Sequence, residues 1–171
     1  MLLKTVIYFS SDLMFNMRIG FGKDIHKLKR GYPLILGGVK ISFKKGLFSF
    51  SDGDVVIHAI VDSLLGAMAL GDIGKFFPES KEENRGRSSI EFLKVTNDLL
   101  KKQKYIIENI DVTILCEKPK LRDYIDIIRG SIAIILGIDV SKISIKACTN
   151  EKFDAVGKGK AIEAISVVLL K

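Results

Sequence analysis

The sequence predicts an α+β fold in which a mixed β-sheet carries helices on one face. Short apolar or alternating runs, which are typical of strands, are interspersed with three longer segments of helical character. A chain of 171 residues, 47% of them hydrophobic and 27% charged, is long enough to bury a core. No internal repeat, proline-rich linker or low-complexity tract divides it. We therefore expect one domain over residues 17–171, preceded by an N-terminal extension at residues 1–16.

The strand predictions rest on short runs that are bounded by glycine and proline. The run at residues 34–36 is apolar and ends at Gly37-Gly38, whereas residues 39–43 alternate apolar and basic side chains, as in a half-exposed strand. Strands are predicted at residues 18–28, 34–36, 39–43, 111–115, 143–149 and 164–170.

Three helices are predicted from their periodicity and from their end signals. The first covers about residues 53–70 and can be capped by Ser51 or Asp52. The second runs from Ser88 or Ser89 to about residue 102, and the third covers residues 121–136 and ends at Gly137.

The first helix is unusual because it is apolar nearly all round. Its exceptions are Asp54, His58 and Asp62, which follow one another at steps of four and so share a face. Such a polar stripe on a buried helix is costly unless its groups are paired or bind a metal ion. One interpretation is therefore a core histidine satisfied by the neighbouring aspartates, and the other is a metal ligand.

A second motif favours the metal ligand. Asp24 and His26 lie two apart in a predicted strand, so their side chains point the same way, roughly 6–7 Å apart along the chain. Together with His58 they offer three nitrogen and oxygen ligands, the number that leaves a catalytic zinc ion one open position. The sequence therefore predicts a zinc site formed by Asp24, His26 and His58.

The composition limits the classes of binding partner and the cellular compartment that are expected for this protein. The net charge of +7 is compatible with nucleic acid, an acidic membrane surface or a phosphorylated small molecule. The basic residues are scattered, with no arginine-rich helix or aromatic-interleaved strand, so we interpret most of them as a solvated face. Two isolated cysteines and the absence of a long apolar run favour a reduced, cytoplasmic protein without a membrane span. Met17 directly precedes the first strong motif and is a candidate for the native start.

An ordered set of motifs covers residues 17–171. Its members are RIGFGKDIH at 18–26, ILGGV at 35–39, SDGD at 51–54, HA at 58–59, Asp62, LGA at 65–67, LGDIGK at 70–75, FP at 77–78, NIDVT at 109–113, PK at 119–120, KA at 146–147, Thr149, Glu151 and Lys152. Any one motif is weak, but the ordered set is specific. By it the chain resembles the 2-C-methyl-D-erythritol 2,4-cyclodiphosphate synthase family of the non-mevalonate isoprenoid pathway.

The resemblance implies a lyase that acts as a homotrimer with active sites shared between subunits. The implied substrate is 4-diphosphocytidyl-2-C-methyl-D-erythritol 2-phosphate, whose 2-phosphate attacks the β-phosphorus of its own diphosphate and expels CMP. Asp24, His26 and His58 match the ligands of one zinc or other divalent ion per subunit. Glu151 matches a ligand of a second ion, magnesium or manganese, at the diphosphate, and Thr149 matches a residue that stabilises the transition state.

The resemblance also implies a substrate-binding set drawn from two subunits. One subunit supplies the ribose and methylerythritol contacts, and its neighbour supplies the cytosine contacts. The implied residues are Asp24, Ile25, His26, Phe50, Ser51, Asp72, Ile73, Gly74, Phe77, Pro78, Glu79, Ser80, Lys81, Cys116, Lys118, Pro119, Lys120, Leu121, Arg122, Cys148, Thr149, Asn150, Glu151, Ala155 and Lys158.

The chain departs from the family pattern at a catalytic position. Phe50 stands where the family usually has a histidine that assists the transition state, and a phenyl ring cannot donate a hydrogen bond. Lys23 and Ser51 are the nearest candidates for a replacement donor. Ala155 and Lys158 replace a phenylalanine and an arginine that line the family's central cavity, so the ligand of that cavity is left open.

Three alternatives remain at this point. A metal-dependent phosphohydrolase would use the same metal site to activate water. A basic nucleic-acid-binding module would bind DNA or RNA in a salt-sensitive manner. A catalytically weakened relative would explain Phe50. We favour the cyclodiphosphate synthase, with a small-molecule cytidine substrate and neither nucleic acid nor membrane as a partner.

Overall fold

The computed structural model describes residues 17–171 as a five-stranded mixed sheet, a separate two-stranded pair and several helices. The extension expected at residues 1–16 lies outside the described residues. The elements are β1 (Arg18–Lys29), β2 (Leu34–Leu36), β3 (Val39–Ile41), β4 (Gly46–Phe48), α1 (Val55–Ala67), α2 (Ile73–Phe76), α3 (Ser89–Lys102), β5 (Ile107–Leu115), α4 (Ile125–Leu136), β6 (Ile143–Cys148), α5 (Asp154–Gly157) and β7 (Ala161–Leu170).

The sheet has the strand order β4-β1-β7-β5-β6. Its strands pair antiparallel except for β5 and β6, which are parallel and are connected through α4. α1 packs on β1 and β7, and α3 packs on α1 and α4, so the core lies between the sheet and one layer of helices. The predicted α+β class, with helices on one face of a mixed sheet, is confirmed.

The predicted elements differ from the observed ones mainly at their ends. The last strand begins at Ala161 rather than at residue 164, and β5 begins at Ile107 rather than at residue 111. The predicted third helix starts with a 3₁₀ turn at Arg122–Tyr124, and Gly137 ends it in the left-handed conformation, as expected. The short strand β4 and the one-turn helix α2 were not predicted, because three or four residues carry no measurable periodicity.

Two glycines allow β1 to lie directly against α1. A Cβ atom on Gly20 would lie 1.8 Å from the carbonyl oxygen of Ser63, and one on Gly22 would lie 2.0 Å from that of Ala59. Neither position has room for a side chain, so the strand and the helix touch backbone to backbone. Because Asp24 follows Gly22 and His58 precedes Ala59, this close approach brings the predicted metal ligands together.

We expect Gly22→Ala to lower the free energy of unfolding by about 2–4 kcal/mol, because the added methyl group must push α1 off β1. Chemical denaturation measures the change. Gly130→Ala is the matched control, since a Cβ atom there meets no atom within 4 Å and alanine favours a helix. Equal stability of the two variants would contradict the close-packing argument.

Residues 17–171 leave the other face of the sheet uncovered in the single chain. This face presents apolar side chains from β1 and β7, of which Ile19 is 74% and Phe21 62% exposed, while Ile25 and Val167 are also exposed. An apolar sheet face of this kind is typical of a protein–protein interface.

None of the helices within residues 17–171 combines the length and the apolar character needed to cross a bilayer.

Candidate active site

The three predicted metal ligands converge. Asp24 and His26 lie on the helix-covered face of β1, and His58 lies on the first turn of α1. The Asp24 Oδ2 atom is 2.8 Å from His58 Nδ1 and 3.0 Å from His26 Nε2, and the two nitrogen atoms are 3.2 Å apart. The strand spacing and the helix position predicted from the sequence therefore produce one cluster of three ligand atoms.

A hydrogen-bond chain on the Nε2 side of the imidazole orients His58. The His58 Nε2 atom lies 2.8 Å from Ser89 Oγ and 3.2 Å from Ser51 Oγ, and the Ser89 hydroxyl donates to Asp52. Since that hydroxyl proton is used on Asp52, Ser89 accepts from Nε2–H, and the Nδ1 lone pair points at Asp24 and His26. This arrangement is the usual support of a metal-binding histidine, which donates its second N–H to a neighbouring group.

The cluster is suited to a cation. With its proton on Nε2, His58 directs a lone pair at the Asp24 carboxylate, and only a proton or a metal ion between them makes that contact favourable. Burial would lower the pKa of His58, but the hydrogen bond and the charge of Asp24 raise it above its usual value. Burial likewise opposes ionisation of Asp24, whose pKa is nevertheless held well below its usual range by hydrogen bonds to His26 and His58.

The donor set is compatible with a divalent metal ion. A tetrahedral zinc ion with bonds of about 2.0–2.1 Å has ligand atoms separated by about 3.3 Å, and the three separations here are 2.8–3.2 Å. A single proton satisfies one of these contacts at a time, whereas a metal ion satisfies all three. Two imidazoles and one carboxylate are also a donor set that zinc and related transition metals accept.

The aspartates of the α1 stripe do not satisfy the histidine. Asp54, rather than Ser51 or Asp52, is the N-cap of α1, and its carboxylate accepts N–H groups of Gly37, Gly38, Val56 and Ile57. Asp62 accepts the Ile73 N–H at 2.7 Å and so fixes the start of α2 beside the metal ligands. Of the three residues in the stripe, Asp54 and Asp62 therefore accept backbone N–H groups, and His58 belongs to the predicted metal site.

A cavity of about 290 Å³ opens beside the ligands. It is lined by all three ligands, the segment at Ser49–Ser51, and residues of α2 and the segments after it. The predicted substrate residues found in its wall are Asp24, His26, Phe50, Ser51, Ile73, Gly74, Phe77, Pro78 and Glu79. We call it the metal cavity.

A second cavity, of about 740 Å³, lies at the ends of β5 and β6 and shares no lining residue with the metal cavity. The predicted residues in its wall are Cys116, Pro119, Lys120, Leu121, Arg122, Cys148 and Thr149. Burial raises the pKa of the Cys116 thiol to about 12, so the thiol stays protonated and donates to the Pro119 carbonyl at 3.6 Å. We call it the β5–β6 cavity. A single chain therefore divides the predicted substrate site into two separate halves.

The remaining predicted residues lie in neither half. Lys118 and Lys158 line a third, lysine-rich cavity of about 500 Å³, and Ile25 is exposed on the open sheet face. Glu151 accepts a hydrogen bond from the Thr149 hydroxyl at 2.5 Å and is not part of the three-ligand cluster. Asp72, Ser80, Lys81, Asn150 and Ala155 line none of these three cavities, although Asp72 caps α2 through the Lys75 N–H.

Comparison with known proteins agrees with this geometry. The YgbB family model matches residues 17–171. The 2-C-methyl-D-erythritol 2,4-cyclodiphosphate synthase of Clostridium acetobutylicum is 49% identical over 154 residues, which cover 90% of this chain and 99% of that protein. The chain belongs to the YgbB family. The enzyme of the same name from Brachyspira hyodysenteriae is 48% identical over 155 residues, which cover 91% and 98% of the two chains.

Solved structures of YgbB-type enzymes share the fold. A CDP complex of IspF from Plasmodium falciparum is 41% identical with a TM-score of 0.80, and the match covers 90% of this chain and 95% of that one. The bifunctional IspDF of Campylobacter jejuni is 35% identical with a TM-score of 0.87, and the match covers 91% of this chain and 42% of that one. The family resemblance predicted from the ordered motifs is thus confirmed.

The replacement donors predicted for Phe50 are both engaged elsewhere. Lys23 points to the open face of the sheet, opposite to Asp24, and pairs with Glu163 at 3.2 Å. The Ser51 hydroxyl is within hydrogen-bond distance of His58 Nε2. In this YgbB-family chain the prediction for Lys23 is therefore wrong, since neighbouring residues of a strand face opposite sides of the sheet.

Sequence reasoning missed the supporting role of Asp52 and Ser89. Ser88 or Ser89 was expected to start a helix, and α3 does begin at Ser89, but the sequence did not show that the Ser89 N–H and hydroxyl both donate to Asp52. The SDGD motif placed Asp52 near the site, but no local pattern pairs it with a serine 37 residues away.

Proposed function

We propose that this chain converts 4-diphosphocytidyl-2-C-methyl-D-erythritol 2-phosphate into 2-C-methyl-D-erythritol 2,4-cyclodiphosphate and CMP. It is then a phosphorus–oxygen lyase of the non-mevalonate isoprenoid pathway. The observation that carries the proposal is the Asp24–His26–His58 cluster at a cavity, in a chain whose relatives are cyclodiphosphate synthases.

The reaction is an intramolecular displacement. An oxygen of the 2-phosphate forms a bond to the β-phosphorus, and the bond from that phosphorus to the oxygen bridging to the α-phosphate breaks, so CMP leaves with the bridging oxygen. Correct orientation of the two groups contributes up to about 7–11 kcal/mol in favourable intramolecular reactions. The nucleophile is already an anion, so no general base is required, and both histidines of the chain are free to serve the metal site.

Some of these residues hold a charge at the diphosphate, and others position the metal ligands or the substrate. A divalent ion held by Asp24, His26 and His58, of which zinc is the one we favour, supplies Lewis-acid polarisation of the diphosphate. Ser89 and Ser51 hold His58 in the tautomer that binds it. The remaining roles are assigned to the α2 segment for the sugars, to the residues of the β5–β6 cavity for cytosine, and to Thr149 and Glu151, with magnesium or manganese, for the diphosphate.

A homotrimer would complete the site. The metal cavity of one subunit and the β5–β6 cavity of the next together hold the residues that a cytidine diphosphate substrate needs, and one chain keeps them apart. The open apolar sheet face, with Ile19 and Phe21, supplies the surface that such an assembly buries. A closed cyclic oligomer places every half site opposite its counterpart.

We expect the protein to sediment at three times the chain mass of 19.0 kDa. Phe21→Asp places a charge in the proposed interface and should shift the protein to the monomer with at least about a hundredfold loss of kcat/KM. Lys94→Asp, on the exposed side of α3, is the matched control and should leave the assembly unchanged. An active monomer would contradict the shared site.

A CMP-release assay tests the activity. The wild type is expected to release CMP from the full substrate, together with the cyclic product, and to release none from an analogue that lacks the 2-phosphate. A metal-dependent phosphohydrolase would release CMP from both compounds and would incorporate solvent oxygen. Absence of release from the full substrate, with metal bound, would refute the proposal.

A further inference from the structure

We propose that Arg85 contacts the substrate. Its guanidinium group packs on the Phe50 ring and binds the 2-phosphate beside the metal cavity. The inference rests on the proposed function, since it names a residue for the same reaction. It also explains how a chain with a phenyl ring at position 50 supplies positive charge at that point of the site.

The geometry places the guanidinium group at the cavity. The Arg85 Cζ atom lies 4.5 Å from the centroid of the Phe50 ring, within the range of a cation–π interaction, and that ring lines the metal cavity. Two backbone hydrogen bonds tie the segment in place: Gly86 N–H donates to the Phe50 carbonyl at 2.8 Å, and Asp52 N–H donates to the Arg87 carbonyl at 3.1 Å. Arg85 is therefore held to the same segment that carries Phe50 and Ser51.

The charges around the metal cavity favour a cation at its edge. Its described lining residues include Asp24 and Glu79 but no lysine or arginine. An adjoining cavity of about 780 Å³ shares His26, Ser49, Phe50, Ser51 and Glu79 with it, and among the described residues in its wall Arg85 is the single lysine or arginine. The proposed assignments give the diphosphate a metal ion and the residues around Thr149, and Arg85 gives the 2-phosphate a cation on the Phe50 side of the metal cavity.

The guanidinium group is available for a ligand. Its partner is Glu82, three residues away, and both side chains are largely exposed. An exposed ion pair of this kind contributes little, so exchanging the carboxylate for a phosphate group costs little. Arginine also binds phosphate with two parallel hydrogen bonds, which orient the group as well as attract it.

The neighbouring Arg87 shows the contrast. It donates to Glu91 at 2.7 Å and to Asn84 at 3.2 Å, and its side chain is less exposed than that of Arg85. Its guanidinium group lies 5.5 Å from the Phe92 ring centroid, beneath the wall of the metal cavity. Arg87 therefore supports the wall, whereas Arg85 lies at its edge.

The test compares Arg85→Gln with Glu82→Gln in the full chain with metal bound. Arg85→Gln is expected to lower kcat/KM for the full substrate at least about tenfold, because a charge-assisted phosphate contact is lost. Its affinity for CDP, which lacks the 2-phosphate, is expected to change less than twofold by calorimetry. Glu82→Gln removes the same ion pair but keeps the guanidinium group, so its kcat/KM should equal or exceed that of the wild type.

A double mutant tests the role of the ring. Phe50→Leu removes the surface on which the guanidinium group rests, so Arg85→Gln should cost less in that background than in the wild type. The inference is overturned if Arg85→Gln retains kcat/KM within twofold, if it weakens CDP as much as substrate, or if Glu82→Gln causes the same loss. A wild type that releases no CMP would instead refute the proposed function.

Discussion

Replacing His58 with alanine is expected to remove the bound divalent ion and to lower kcat by at least about a thousandfold. A metal ion acting as a Lewis acid contributes several kcal/mol to stabilisation of the transition state, and a thousandfold loss corresponds to about 4 kcal/mol. His58 is the one buried member of the cluster. Without it only two ligands remain, Asp24 and His26, and both are partly exposed. Metal analysis of the purified protein and the CMP-release assay measure the two effects.

Ser89→Ala is the matched control for His58→Ala. It removes the hydroxyl that accepts from His58 Nε2 but keeps all three ligands. Loss of such a supporting group typically weakens metal binding by about ten- to a hundredfold, so excess metal should restore its activity. Circular dichroism checks that both variants are folded. If His58→Ala kept stoichiometric metal and full activity, the ligand assignment would be wrong.

Asp54→Ala is expected to cost about 4 kcal/mol or more of the free energy of unfolding. The side chain is fully buried, and its two oxygen atoms accept four backbone N–H groups at 2.7–3.1 Å. Two of these donors begin α1, and the other two belong to the Gly37-Gly38 turn between β2 and β3. Loss of an N-cap costs about 1 kcal/mol, and each buried donor left without a partner adds about 1–3 kcal/mol.

Denaturant titration measures this loss, and Asp139→Ala provides the comparison. Asp139 is also an N-cap, but it is exposed and its one backbone donor in the described residues is the Ser141 N–H, at 2.8 Å, so its replacement should cost about 1 kcal/mol. Burial raises the pKa of Asp54 to about 6 even though the N–H groups of Gly38, Gly37 and Ile57 oppose the increase, so this carboxyl group is ionised at neutral pH. Equal costs for the two substitutions would show that Asp54 acts as an ordinary cap.

The chemistry of the metal site could be predicted from local spacing. Residues two apart in a strand share a face, and so do residues four apart in a helix, so Asp24, His26 and His58 could be chosen before any contact was known. The α1 stripe shows the limit of the same rule. Asp54 has the spacing of a ligand but caps the helix, because the position at which α1 begins determines where its carboxylate points.

The supporting residues depended on contacts between distant parts of the chain. Asp52 meets Ser89 across 37 residues, and Phe50 meets Arg85 across a segment that includes α1 and α2. The sequence contains each of these residues, but no local pattern states which pairs touch. Lys23, the donor chosen by proximity in sequence, faces the opposite side of the sheet from Asp24, because neighbouring residues of a strand alternate in direction.

The sequence by itself determined the fold class, the family and the choice of Asp24, His26 and His58 as candidate metal ligands, because these follow from periodicity, ordered motifs and spacing within an element. Only the tertiary structure decided that many of the residues predicted to bind substrate lie in two separate cavities, and that residues 17–171 leave one apolar face of the sheet uncovered. Apolar side chains such as Phe21 in β1 and Val167 in β7 indicate that this face is covered, but they do not say whether the cover comes from the same chain. That depends on how the helices distribute over the sheet, which is a property of the packed chain.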